Sequence, residues 1–529
     1  MPARFHFLNT HPRHCLSIVR SLWLILTLHL LSACASLPPA IAVTEPVQHI
    51  TTTNSQLAQV IHSLRQDRQN LTGIYPLSDS HDSFAARANL IHSAEFTLDL
   101  QYYIWHNDTS GRLLAQALQR AANRGVKVRL LLDDNNTDGL DYFLSDLDAH
   151  PNIQVRLFNP FHHRKMRWMG YITQFERLNH RMHNKAFIVD QQAAILGGRN
   201  IGDEYFGAGD GTMFMDLDVL AVGKVVDDIN QDFERYWRSE SSYSLEQVLQ
   251  HRSVAPPPVA LSPHQQQEQQ NQKRNYLNQV AQSDYANALR EQRLPLQWSD
   301  VALVSDDPAK ALQSLGATPT HNIVNDLSRE LGDPKEQLLI VSPYFVPTKN
   351  GTKELVQLAK NGVHITILTN SLAATDVAPV HAGYAKYRKP LLKAGINLYE
   401  LKPSIIKPMI FKDRGLTGSS GSSLHAKTIA IDNRSMFIGS FNMDPRSANV
   451  NTENGVVIHN PQLTSHFKET LLNNVPSNAY EVQLDSNGRL VWLEHGDYAA
   501  MVYQKEPQTT WMKRFWIRFL SILPIEPLL

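Results

Sequence analysis

Apolar residues fall into two registers along the chain, and the arrangement occurs twice. EFTLDLQYYIWHND (95–108) predicts a buried strand, SGRLLAQALQRAANRG (110–125) carries apolar positions at helical spacing, and VKVRLLLDD (126–134) predicts a second buried strand. The order returns in QLLIVSPYFVPTKN (337–350), GTKELVQLAKNG (351–362), with its closing Gly, and VHITILTNSLAATD (363–376). Each copy runs on to a short alternating stretch, AFIVD (186–190) or TIAID (428–432), that predicts a strand, a turn at the following Gly and another strand. The chain therefore reads as an internal duplication of two α/β units.

Between the copies, APPPVALSPHQQQEQQNQ (255–272) is rich in Pro and Gln and predicts a surface insertion or linker, with the boundary near residue 300. At the N-terminus, Arg13 and Arg20 supply a positive region before the apolar SLWLILTLHLL, which is short for a membrane span and fits a secretory signal over 1–33. The polar stretch 34–75 then reads as a tether. This divides the chain into a first repeat at 76–250, a linker at 251–300, a second repeat at 301–510 and a terminal segment at 511–529. That last segment, WMKRFWIRFLSILPIEPLL, mixes aromatics and cations and predicts an amphipathic interfacial element. A basic and aromatic stretch at 159–183, with Trp168 and Tyr171, reads either as a lip for anionic headgroups or as a solvated loop.

Composition narrows the function. At 529 residues the chain exceeds one compact core, and its 50 basic and 50 acidic residues cancel. A bulk nucleic-acid binder carries a basic excess, so no nucleic-acid partner is expected, although a local basic cleft remains compatible with that balance. The two cysteines, Cys15 and Cys34, lie in or beside the signal, so the mature chain has no internal disulfide and no cysteine metal site.

The chemistry is concentrated in RMHNKAFIVDQQAAILGGRN (181–200) and SLHAKTIAIDNRSMFIGSFN (423–442). His183, Lys185, Asp190, Gly197 and Asn200 recur at identical intervals as His425, Lys427, Asp432, Gly439 and Asn442. On a strand, period two places His and Lys on one face, and a pseudo-twofold interface would bring both sets into one cleft. Two Lys and two Asn supply donors for the non-bridging oxygens of a phosphodiester. One neutral His can attack phosphorus while the other, protonated, donates to the leaving alkoxide. Nothing in the pattern calls for a metal or another cofactor.

This doubled H-x-K-x4-D-x6-G-[GS]-x-N pattern resembles the duplicated HKD signature of the phospholipase D superfamily, from about residue 80 onward. With QYYIWHND, GGRNIGDEYF, DLDVLAVG, NSLAATDVAPVHAGYAKYRKPLL and FLSILPIEPLL, the chain is most similar to bacterial cardiolipin synthases of the lipobox-bearing C type. LSAC resembles that lipobox, with Cys34 as the lipidated residue. The resemblance implies two tandem α/β/α repeats related by a pseudo-twofold axis, with the active site at their interface. It implies His183 as the phosphohistidine, His425 as general acid and base, and Lys185, Lys427, Asn200 and Asn442 as phosphate ligands. Asp190 and Asp432 are expected to hold the strands and pair with nearby cations. Glu453 stands where relatives carry an acid that orients the His, and Asp218 is its counterpart at a different spacing. Gly198 stands where many relatives have the Ser that the second copy keeps as Ser440.

The implied activity moves a phosphatidyl group through a phosphohistidine to the hydroxyl of phosphatidylglycerol, with phosphatidylethanolamine as a donor. The implied setting is the bacterial envelope, as a lipoprotein on a membrane surface facing the periplasm. Some relatives work with an accessory protein, and these residues do not speak to one. A phospholipase D or nuclease-type hydrolase, or a non-catalytic lipid-binding protein of the envelope, remains the alternative.

Overall fold

The computed structural model describes residues 52–209, 213–249, 262–403, 423–496 and 500–529. The signal, Cys34, the start of the tether, the Pro-rich part of the linker and the Gly/Ser run before Ser423 lie outside them. The first half contributes β1 (Thr72–Leu77), β2 (Thr97–Tyr102), β3 (Lys127–Asp133), β4 (Ile153–Phe158), β5 (Ala186–Val189), β6 (Ala193–Gly197), β7 (Phe214–Met215), β8 (Asp218–Gly223) and β9 (Ser242–Ser244). The second contributes β10 (Gln297–Ser305), β11 (Gln337–Val341), β12 (His364–Asn370), β13 (Asn397–Leu401), β14 (Ser423–Leu424), β15 (Thr428–Ile431), β16 (Ser435–Gly439), β17 (Asn454–His459), β18 (Ala479–Leu484), β19 (Leu490–Glu494) and β20 (Met501–Tyr503).

The duplication is visible strand by strand. In the first half the order is β4-β3-β2-β5-β6-β8-β1, and in the second it is β13-β12-β11-β15-β16-β17-β10. Three strands of each half run parallel, connected through helices such as Thr109–Asn123 and Thr348–Lys360. An antiparallel join of β1 with β10, from Thr72 opposite Ser299 to Ile74 opposite Gln297, makes the two sheets continuous.

Strand alternation gives each half two apolar faces. Phe187, Val189 and Ile195 face an outer core under the helices, whereas Ala186, Ile188, Leu196 and Val219 face inward. There they share one buried cluster with Leu339, Val341, Ala430, Met436, Ile438 and Val456 of the second half. Burial on this layer, roughly 25 cal/mol per Å² of apolar surface, drives the halves together face to face.

The structure changes several readings of the sequence. The hairpin turn is at Asp190-Gln191 and at Asp432-Asn433, whose positive φ angles of 47°, 55°, 51° and 48° fit a two-residue turn of the mirror-image type. Gly197 and Gly439 instead end β6 and β16, where a Cβ would collide with Asp218 Oδ1 or the Asn454 carbonyl. The two motif acids pair with backbone N–H groups rather than with cations. Asp190 accepts from Glu95, Phe96 and Thr97, and Asp432 accepts from Lys335, Glu336 and Gln337.

The tether ends earlier than composition implied. Ser55 caps a helix at Gln56–Arg65 that buries Ala58 and Ile61, and β1 starts at Thr72. The Gln-rich stretch forms a helix, Pro263–Ala281, opened by a Ser262–Gln265 capping box. It buries only Tyr276 and Val280, with Tyr276 5.3 Å from Phe84 of the first half. Two apolar anchors in 19 residues are too few to register as periodicity.

The three bonds to Asp190 are buried or part-buried, whereas two of the three bonds to Asp432 are exposed and can be rehydrated. Asp190→Ala should therefore cost about 3–5 kcal/mol of stability in urea unfolding, and Asp432→Ala less than half of that.

Candidate active site

The segments leading into β5 and β15 cross to the other half. His183 N donates to the Thr452 carbonyl at 2.8 Å, and His425 N donates to the Met215 carbonyl at 2.8 Å. Beside the second contact, β14 pairs with β7. His183 and Lys185 thus sit just before β5, rather than on it, and the same holds for His425 and Lys427 before β15.

Each imidazole is held by an acid from the opposite half. His183 Nδ1 donates to Glu453 Oε2 at 2.8 Å, and His425 Nδ1 donates to Asp216 Oδ2 at 2.5 Å. Both bonds use Nδ1, so Nε2 is the nitrogen left for chemistry. Glu453 therefore serves His183 rather than the His of its own half.

Asp218 does not orient a histidine. It accepts from Arg87, Ser83 and Arg199 N in a buried network within the first half. Asp216 holds the position instead, and strand register shows why. Gly197 pairs with Asp218 as Gly439 pairs with Gly455, and the orienting acid stands two residues ahead of that partner in each half. Counting back from β8 and β17, rather than forward from each His, would have found it. The short helix Asp203–Phe206 has its counterpart in Pro445–Asn449, but Gly197 to Asp216 spans 19 residues where Gly439 to Glu453 spans 14, and those extra residues hide the equivalence.

The substitution of Gly198 for Ser440 belongs to the same difference. Ser440 Oγ donates to Glu453 Oε2 at 2.5 Å, and Ser447 donates to Oε1 at 2.8 Å. A Cβ on Gly198 would collide with Asp216 Oδ1. The shorter acid is drawn back into the space a serine would fill, so Gly198–Asp216 and Ser440–Glu453 are alternative solutions to one packing problem.

Lys185 Nζ donates to the His183 carbonyl at 2.5 Å, and Lys427 Nζ donates to that of His425. All four groups are buried. Asn200 uses one amide N–H on the Tyr205 hydroxyl, at 2.9 Å, and accepts from Ile104 N. It thereby fixes Tyr205, whose ring packs edge-on to His425 with centroids 5.3 Å apart. Asn442 is buried, and its Oδ1 has no partner among the described residues. Three aromatic walls escaped the sequence reading. Tyr103 packs on His183 at 4.9 Å with Lys185 over its ring, and Phe214 stacks on His425 at 5.2 Å.

The two sides differ electrically. Burial, with Lys185, Lys427 and His425 nearby, holds His183 well below its ordinary pKa. Burial pushes its partner Glu453 up to about 7. Burial and Lys427 also lower His425, but Asp216 opposes them. Although burial pushes Asp216 up, the charge and hydrogen bond of His425, with Lys427 and Arg199, hold it far below the usual carboxylate range. Burial draws Lys185 down to about 7 and Lys427 to about 8. His183 is thus the better neutral nucleophile, and His425, beside an ionised acid, is the better proton donor. Both ammoniums stand ready to neutralise an anion.

Among the described residues, one group has metal-ligand spacing, His106, Asp108 and Glu204. Asp108 already caps the helix at Thr109 and accepts from Asp203 N.

A family model described as cardiolipin synthase, PLD-like domain, matches residues 88–237 and 327–474, one match in each half. The chain is 48% identical to cardiolipin synthase C of Escherichia coli K12 over 476 residues, covering 90% of this chain and all of that one. It is 26% identical to the major cardiolipin synthase of Bacillus subtilis 168, covering 75% and 68% of the two chains. Among solved structures, a phosphatidylserine synthase from Haemophilus influenzae superposes with a TM-score of 0.55 at 14% identity, covering 89% of this chain and all of that one.

Gly198→Ser should displace Asp216 and abolish the downfield Nδ1–H resonance of His425 in NMR spectra. Gly198→Ser combined with Asp216→Glu should restore it by copying the other half.

Proposed function

The chain belongs to the phospholipase D-like family of cardiolipin synthases, and on that premise we propose how it moves a phosphatidyl group from one phospholipid to another. It is a phosphatidyltransferase of cardiolipin-synthase type acting on phospholipids. The observation that carries the proposal is the crossed pair of carboxylate–imidazole bonds around one buried cleft with two low-pKa lysines.

In the first step, Nε2 of His183 attacks the donor phosphorus and the P–O bond to the headgroup breaks. His425 gives that alkoxide its proton, and the headgroup leaves as an alcohol. Lys185 and Lys427 offset the charge gathering on the non-bridging oxygens, and Asn442 adds an amide donor. Asn200 acts on phosphate through its second N–H while fixing Tyr205. In the second step, neutral His425 takes the proton from a hydroxyl of phosphatidylglycerol. Its oxygen attacks phosphorus, the P–N bond breaks, and His183 is regenerated as cardiolipin forms. One phosphodiester is exchanged for another, so no nucleotide is required. Phosphatidylethanolamine is the proposed donor, leaving as ethanolamine.

The protein is a membrane-associated bacterial enzyme. No described helix is long and apolar enough to cross a membrane. The signal-like segment and the lipobox-like LSAC support attachment through a lipidated Cys34, with the catalytic halves in the periplasm.

The test is a lipid assay on the full chain in vesicles of phosphatidylglycerol, phosphatidylethanolamine or both, with products identified by mass spectrometry. Cardiolipin should form, most rapidly in the mixture, and His183→Ala should lower its rate at least about a thousandfold. Phosphatidic acid without cardiolipin would make the protein a hydrolase, and no product would leave a lipid-binding role.

The lysines set a pH dependence. As pH rises through about 7 to 8, Lys185 and Lys427 lose their protons and with them the attraction for phosphate. kcat/KM should fall over that range. The alkaline limb of kcat should lie higher, because a bound phosphodiester favours the charged ammoniums.

A further inference from the structure

The helix Trp511–Ile522 is docked the wrong way round for a helix of a soluble surface. Its buried contacts are few, chiefly Ile517 at 4% exposure with Leu520 beside it, against Leu372 and Ala382. At 100° per residue, Trp511, Met512, Phe515, Trp516, Phe519 and Ile522 share the opposite face. That face is left in solvent, with Trp511 69%, Trp516 53% and Ile522 82% exposed. A surface helix ordinarily turns such a face to the core.

Along one flank of this apolar face runs a groove of about 670 Å³ between the helix and residues 385–389, 489–492 and 504–506. Its charged lining residues are cations with one exception, the acid Glu506. Some of those cations are already neutralised, since Arg388 pairs with Glu400 and Glu506, and Lys386 pairs with Glu526. Lys389, Lys505 and Arg518 line the groove with no carboxylate at ion-pair distance among the described residues. Unpaired cations beside an outward apolar ridge match the depth profile of a bilayer surface, with phosphates at one level and acyl chains just below.

A second ridge occupies the equivalent place on the other half. Met166, Trp168, Ile172 and Phe175 are exposed on a segment anchored to the β3–β4 connection through Arg164–Asp141 and Tyr171–Asn135. The terminal helix packs on Ala378–Ala385, in the β12–β13 connection. β3 and β12 correspond under the duplication, and both end at the cleft. Asp133 accepts from Met182 N, next to His183, and Asn370 accepts from Leu424 N, next to His425.

We propose that the groove under the terminal helix seats the phosphate headgroup of an anionic phospholipid in a bilayer, as a docking site separate from the catalytic cleft. The apolar faces of the helix and of segment 166–175 then enter the same leaflet on either side of the cleft. This rests on the reading of the protein as acting on membrane lipid, and its test reads docking rather than turnover.

The full chain is placed in vesicles of phosphatidylcholine, or of phosphatidylcholine with phosphatidylglycerol, and acetylation of Lys389 and Lys505 is timed by mass spectrometry. Both lysines should react about fivefold or more slowly when phosphatidylglycerol is present. Arg518→Gln should raise the phosphatidylglycerol fraction needed for half-protection about fivefold, since one cation near an anionic surface contributes about that factor. Trp511→Ser with Trp516→Ser should weaken protection as well. Equal rates in both vesicles would overturn the proposal, as would protection unchanged by the tryptophan substitutions. Equal protection by soluble glycerol phosphate would reduce the groove to a free-anion site and also overturn it. His183→Ala should show wild-type protection, so a failure of docking and a failure of the transferase reading separate.

Discussion

Two hydrogen bonds that cross between the halves govern this molecule, Glu453 to His183 and Asp216 to His425. Each joins a titratable ring from one repeat to a buried acid from the other, so neither repeat contains a complete site. A buried acid or imidazole left alone would face the full desolvation penalty, several kcal/mol per ion in a protein interior. The apolar layer between the sheets and the β1–β10 join hold the halves close enough for those bonds. Packing and the proposed catalysis therefore act through the same interface.

The duplicated motifs do not make an electrically even site. Asp216 is surrounded by His425, Lys427 and Arg199 and stays ionised. Glu453 shares its carboxylate with Ser440 and Ser447, and burial keeps its pKa high. One ring is therefore biased toward donating a proton and the other toward attacking as a neutral base. The bias arises from the two acids and their immediate neighbours, since the His and Lys spacing is the same on both sides.

Much of the architecture was legible in the sequence because it rests on periodicity. The strand–helix–strand order of both copies and the doubled motif needed only alternation, helical spacing and counting. What escaped depended on register and on contacts distant in sequence. Asp216 was hidden by loop length, since the 28-residue interval from His425 to Glu453, counted from His183, falls short at Gly211, and only the Gly197–Asp218 pairing reveals the offset. Asp190 looked like a partner for cations because its three backbone donors lie more than 90 residues away. The helix at Gln56–Arg65 was lost within a polar stretch because so few of its side chains are buried. Tyr103, Tyr205 and Phe214 carry no motif of their own and acquire meaning only where the fold sets them against the two histidines.

The exchange of Gly198–Asp216 for Ser440–Glu453 has a bearing on how a substrate is received. A site with true twofold symmetry would accept a phosphodiester equally well in either of two orientations, and both would react alike. In the proposed mechanism, a lipid that arrives reversed would present its leaving oxygen to the ring backed by Glu453, which is less able to hold a proton to donate. The unequal carboxylates thus give the cleft a polarity, a fixed donor end and a fixed exit end. A fold built by doubling acquires a direction from one missing hydroxymethyl group and one shortened side chain.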